Sequence, residues 1–240
     1  MNYVLIILLL VTELSSCQKN NSGQMNPTAS NRGANQGAFS YLALGDSYTI
    51  GHDVPAVENY PNQTIGLLAK DSIEATARII ATTGWTTTDL KNAIAAAESD
   101  GSLLPRYDFV SLLIGVNNEY QQLPVSLYRA EFEELLKKSI GLAGNSASRV
   151  IVLSIPDWSV TPFASGRDTA RIAREIDEYN AINKGIAEKY GVQWIDITAW
   201  TREASHDPSL LADDKLHPSG KEYARWAAVL DKMARKMLLR

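Results

Sequence analysis

Ser47 ends the run Gly45-Asp46-Ser47, directly after the apolar segment Tyr41–Leu44. A buried strand that hands a polar side chain to a turn at its carboxyl end reads this way. A serine so placed is a candidate nucleophile, although Gly-Asp-Ser also makes an ordinary turn or helix N-cap. Neutral serine is a weak nucleophile and needs a base within hydrogen-bond reach. His217 supplies a candidate base, and Asp214 lies three residues before it. At that spacing a single turn can present both side chains on one side, with the carboxylate holding the imidazole tautomer. Gly84 and Asn117 supply a main-chain and a side-chain amide, the donor types that stabilise a tetrahedral oxyanion, where one donor is worth about 3–4 kcal/mol. Serine, histidine, carboxylate and two amide donors together are what acyl transfer requires.

Each of these residues also has a structural reading. Gly84 serves as a turn glycine, Asn117 as a left-handed loop residue or helix cap, and Asp214 as a favourable charge at the positive start of a following helix. A charged histidine is ill suited to that end, which argues against a capping role for His217. His52, five residues after Ser47, is a rival base whose one carboxylate neighbour in sequence is Asp53. His206, beside Asp207, reads as a solvated loop residue. Trp85 and Trp158 directly follow strand-like segments, so each is either core or the wall of a substrate site.

The elements that must position these groups alternate between strand-like and helix-like patterns. Strands are expected over Ser40–Leu44, Glu74–Thr82, Phe109–Ile114, Arg149–Ile155 and Val192–Ile197, and helices over Gln63–Asp71, Thr87–Glu98, Val125–Leu142, Thr169–Tyr190 and Pro218–Leu239. Thr87 or Thr88 is the expected cap of the second helix, and Gly191 a C-cap signal for the fourth. Nearly continuous apolar strands, each followed by a helix, predict an α/β domain with a doubly wound, five-stranded parallel sheet covered on both faces. Sites in such sheets form beyond the carboxyl ends of the strands. Ser47, Gly84 with Trp85, Asn117, and Asp157 with Trp158 follow the first four strands in turn. The order of the strands is not legible from these patterns.

Composition narrows the partners. The chain has 240 residues, 45% hydrophobic and 21% charged, with a net charge of −4. This suits one sizeable globular core and, without a basic stripe, excludes nucleic acid as an expected partner. One cysteine and three histidines allow neither an internal disulfide nor a CxxC zinc site. No cofactor or resident metal is expected. Val4–Val11 is an apolar run too short to span a bilayer and reads as the core of a signal peptide. Residues 18–38, rich in Asn, Ser, Gly and Gln, are expected to be a disordered tether with a reach of roughly 25 Å, and the folded domain is expected over residues 39–240.

Two resemblances add to this. Leu14-Ser15-Ser16-Cys17 resembles the bacterial lipobox, which implies cleavage after residue 16 and lipid attachment at Cys17. The protein would then be membrane-anchored in the bacterial cell envelope, on the extracytoplasmic side, and more than one acyl chain would make that anchoring stable. Gly45-Asp46-Ser47, Gly84, Gly115-x-Asn117 and Asp214-x-x-His217, in that order over residues 40–225, resemble the four blocks of the SGNH or GDSL hydrolases. The resemblance implies a three-layer, flavodoxin-like α/β/α fold and an esterase or lipase. Ser47 would be its nucleophile, His217 its base and Asp214 the residue that orients the base. The amides of Ser47 and Gly84 and the side chain of Asn117 would form the oxyanion hole. Asn118 departs from the pattern, in which aspartate often stands at this position. Small-acyl or carbohydrate esters are the expected substrates. A lysophospholipase or thioesterase for longer acyl chains is the alternative within the class, and a non-catalytic surface binding lipoprotein the alternative outside it.

Overall fold

A computed structural model describes residues 38–239; the expected signal peptide, Cys17 and nearly all of the tether lie outside the described residues. Five strands, β1 (Phe39–Gly45), β2 (Ala75–Ala81), β3 (Phe109–Leu113), β4 (Val150–Leu153) and β5 (Gln193–Ile195), form one parallel sheet in the order β2-β1-β3-β4-β5. Eight α-helices connect and cover them: α1 (Ser47–Ile50), α2 (Tyr60–Lys70), α3 (Thr87–Ser99), α4 (Val116–Tyr120), α5 (Val125–Leu142), α6 (Thr169–Lys189), α7 (Thr198–Thr201) and α8 (Gly220–Leu238). α2 packs on α8, while α5 contacts both α3 and α6. Right-handed crossovers put these groups on opposite faces, which makes the three-layer α/β/α arrangement. Among the described residues no helix is long and apolar enough to cross a membrane.

The strand patterns follow burial. Every residue of β3 and β4 is buried, as is β1 from Tyr41 onward, so these central strands read as nearly continuous apolar runs, broken in β3 only by Ser111. The edge strand β2 buries only its last two residues. The sheet reverses direction at β1, whose neighbours β2 and β3 both lie in register with it: Gly45 pairs with Ala81 on one side and with Leu113 on the other. The carboxyl ends of three strands therefore stop level with one another at the switch point, where open α/β sheets bind ligands.

Local chemistry refines the expected boundaries. The cap of α3 is Thr86, not Thr87 or Thr88, in a capping box with Asp89. Thr87 and Thr88 instead donate their hydroxyls to Glu131 of α5. β5 ends early because the amides of Ile197 and Thr198 turn to the Ser154 hydroxyl, at 2.9 and 3.1 Å, and leave the ladder. The closing helix begins at Gly220, with Ser219 as its cap. Pro218 lies outside it, in an isolated antiparallel bridge with Leu211. Asp214 and His217 consequently sit in a closed loop and not at a helix start, and the reading of Asp214 as a helix-dipole charge falls away.

Candidate active site

Ser47 is the first residue of α1. Asp46 caps that helix, its Oδ1 accepting from the Tyr48 amide at 3.0 Å. The turn from β1 into α1 is tight enough to require glycine at 45: a Cβ there would lie 2.1 Å from Thr49 Oγ1 and 2.4 Å from the Leu113 carbonyl. The close approach seats Ser47 against the end of β3. Asp46 is fully buried, and burial pushes its carboxyl up to about 7 against the pull of the Tyr48 amide.

Gly84 lies after β2 with a φ of 85°, and a Cβ built on it would meet nothing within 4 Å. The left-handed backbone favours glycine, and the space above it belongs to an open cleft. Its N–H donates no hydrogen bond to any described residue. Asn117, in the first turn of α4, donates from Nδ2 to the Trp85 carbonyl at 2.9 Å. One of its two amide hydrogens is thus fixed and the other left available. Asn118 is fully buried and clasps Thr87, accepting from its amide at 3.0 Å and donating to its hydroxyl at 2.7 Å. An aspartate at 118 would keep the first bond and lack the second donor, so asparagine here ties α4 to the start of α3.

Asp214 and His217 occupy a loop whose neck is closed by the Leu211–Pro218 bridge and by a 2.8 Å bond from the Ala212 amide to the His217 carbonyl. Asp214 Oδ1 accepts from the amides of Leu216 and His217, both at 2.9 Å, while Oδ2 lies 2.5 Å from His217 Nδ1. Asp53 Oδ2, in turn, accepts from the Asp214 amide at 2.7 Å. Burial pushes the Asp214 carboxyl up, but its bonds to the His217 ring, the His217 amide and the Leu216 amide outweigh this and hold it below the usual range. His217 is 6% exposed. Its burial lowers its proton affinity more than Asp214 raises it, leaving it below the ordinary value of 6.5. The imidazole is therefore neutral at pH 7, with Nδ1 held by a carboxylate, which is the state able to accept a proton.

Ser47, Gly84, Asn117, Trp158 and His217 line one open cleft, the concave setting in which small-molecule sites form. Asp214 stands behind His217. Ser47 is 3% exposed, and its hydroxyl has no hydrogen-bond partner among the described residues. Such contacts are often long without substrate and tighten when it binds. Trp85 is corrected: its ring packs against the core and not along the cleft, and its carbonyl is what touches the site. Trp158 is 4% exposed, with its indole N–H on Glu119 Oε2 at 2.7 Å. Burial pushes Glu119 up to about 7. The exposed aromatic rings of the wall are Tyr120 and Phe163, each 41% exposed, whose ring centroids lie 5.5 and 6.0 Å from that of Trp158. Tyr48, Thr83, Val116 and Leu216 complete the lining. Sequence reasoning missed these six. Tyr48 and Leu216 adjoin Ser47 and His217 in sequence, a signal that was available, but nothing in the local pattern marks Phe163. Asp157 is structural: it caps the following 3-10 turn and pairs with Arg202 at 2.8 Å.

Comparison with known proteins agrees with this geometry. No curated protein matches the chain in sequence. In structure it is similar to a variant of an acetyl xylan esterase from Geobacillus stearothermophilus, with TM-score 0.60, 22% identity, 82% of this chain and 94% of the other covered. It is also similar to a psychrotrophic esterase from Pseudoalteromonas sp., with TM-score 0.62, 16% identity and 84% and 99% coverage. A third, a lipase/acylhydrolase from Enterococcus faecalis, has TM-score 0.62, 20% identity and 84% and 97% coverage. Residues 43–225 match the GDSL-like lipase/acylhydrolase family. That span begins just before the Ser47 turn and ends beyond His217, so the chain belongs to this family and is a carboxylic ester hydrolase of the SGNH/GDSL type.

Proposed function

We propose that the protein hydrolyses small-acyl esters, with acetyl groups on carbohydrate as the leading class, through an acyl-enzyme on Ser47. Ser47 Oγ attacks the ester carbonyl as its proton passes to His217, and Asp214 holds the resulting imidazolium. The amides of Ser47, Gly84 and Asn117 take up the developing oxyanion charge. His217 then protonates the leaving alcohol, and water repeats the cycle to release the acid. The observation that most supports this reading is the 2.5 Å contact of His217 Nδ1 with Asp214, on the wall of the same cleft that Ser47 lines.

The small-acyl preference draws support from the acetyl xylan esterase fold relative and from the exposed rings of Tyr120 and Phe163, flat apolar surfaces on which a sugar can stack. A chain-length series of p-nitrophenyl esters, run on wild type and Ser47→Ala with a fluorophosphonate label, tests both parts. The expected outcome is best turnover at two carbons, with labelling and turnover lost in the variant. A maximum at eight carbons or more overturns the small-acyl preference, and equal labelling of Ser47→Ala overturns the nucleophile.

The lipobox Leu14–Cys17 supports anchoring at the extracytoplasmic face of a bacterial membrane. Incorporation of labelled palmitate by the wild-type chain, absent from Cys17→Ala, is the expected result.

A further inference from the structure

His52 takes no part in the mechanism above, yet it stands beside its base. Its ring centroid lies 4.7 Å from that of His217, the planes tilted by 56°. Its Nδ1 is 3.0 Å from Thr83 Oγ1, which fixes the ring and leaves Nε2 unengaged. One donor atom from each of His52, Asp214 and His217 falls within 4.8 Å of the others. Asp53, the residue after His52, brings a second carboxylate to the Asp214 amide and adds to the negative potential around this group.

We propose that His52, Asp214 and His217 bind a transition-metal ion, zinc being the reference case, and that its binding switches off ester hydrolysis. Two imidazoles and one carboxylate are a donor set that suits zinc, copper or nickel better than calcium or magnesium. Tetrahedral zinc bonds of about 2.0–2.1 Å place donors roughly 3.3 Å apart, so a pair at the 4.8 Å limit must close in by about 1.5 Å. Buried His217 is the fixed point; the movement costs His52 its bond to Thr83 Oγ1 and Asp214 its bond to the His217 ring, and water fills the fourth position. The inhibitory consequence rests on His217 being the base. An ion on Nε2 occupies the lone pair that would take the serine proton, and an ion on Nδ1 displaces the hydrogen bond to Asp214. Either mode disables it.

Calorimetric titration of zinc chloride into the full chain, alongside hydrolysis of p-nitrophenyl acetate at the same zinc concentrations, tests this. Wild type is expected to bind one zinc ion and to lose activity in parallel, with recovery on adding EDTA. His52→Ala is expected to weaken both binding and inhibition by roughly tenfold or more, loss of a ligand costing at least as much as loss of an outer-shell partner. His206→Ala should change neither. The proposal is overturned if wild type takes up no zinc, if His52→Ala binds it equally well, or if His206→Ala abolishes binding. A wild type inactive on esters would count against the hydrolase reading instead, and the zinc titration would still decide the site.

Discussion

The two sides of the cleft are built in different ways. On one side, Ser47, Gly84 and Asn117 come from three strand ends, and their positions depend on partners far away in sequence. Asn117 reaches a carbonyl 32 residues back, and Asn118 a hydroxyl 31 residues back. On the other side, Asp214 and His217 are three residues apart and orient each other within one loop. The loop is fastened to the rest chiefly at its neck and through Asp53. The placement of these three residues thus comes from sheet register and helix-start hydrogen bonds, while the Asp214–His217 pair is largely self-assembled. A substitution on the strand side should disturb charge stabilisation, and one on the loop side should disturb proton transfer.

Three experiments separate the sides. The largest effect is expected from Asp214→Asn, which keeps the loop's shape but favours the wrong imidazole tautomer. kcat should fall by about 10⁴-fold, with the far-ultraviolet circular dichroism unchanged. Next comes Asn117→Ala, which removes one oxyanion donor while leaving the loop intact. kcat should fall by roughly 10²–10³-fold, KM should change little, and the pH profile of the residual activity should keep its midpoint.

The smallest effect lies in that profile. With His217 as the proposed base, active only when neutral, kcat/KM should rise with pH and then level off. Burial first, offset in part by Asp214, puts the midpoint below the ordinary histidine value of 6.5. Asp53 raises the proton affinity of His217 and His52 lowers it. Asp53→Asn should therefore move the rising limb to lower pH and His52→Ala to higher pH, both read from pH–rate profiles. A limb that ignores both would show that the loop side does not set the base.

Much of this was legible in the chain, for reasons that differ by element. Central strands announce themselves because both faces are buried, so β1, β3 and β4 read as nearly continuous apolar runs. Edge strand β2 was found despite alternating burial, since Thr83-Gly84 ends it clearly. β5 was overextended: Val192–Ile197 is apolar throughout the core positions, but the Ser154 hydroxyl captures the amides that would continue the ladder, a contact across more than 40 residues. Thr86 was overlooked as a cap because three threonines stand in a row and only the Asp89 side chain distinguishes them. Trp85 and Trp158 looked alike, each just beyond a strand. The first turned its ring to the core and the second to the cleft, and no local pattern separates those outcomes.

What the sequence determined by itself was the order of the motif residues along the chain, together with the Asp214–His217 pairing. A three-residue spacing constrains two side chains through local backbone geometry alone. What only the tertiary structure decided was which other residues meet them. The level endings of β1, β2 and β3 bring Ser47, Gly84 and Asn117 together, and the long connection after β4 adds Phe163 to the wall. The same convergence set His52 against His217. Those positions depend on register and on packing over long sequence separations, where each neighbour's place is fixed by the whole sheet and not by the residues beside it in the chain.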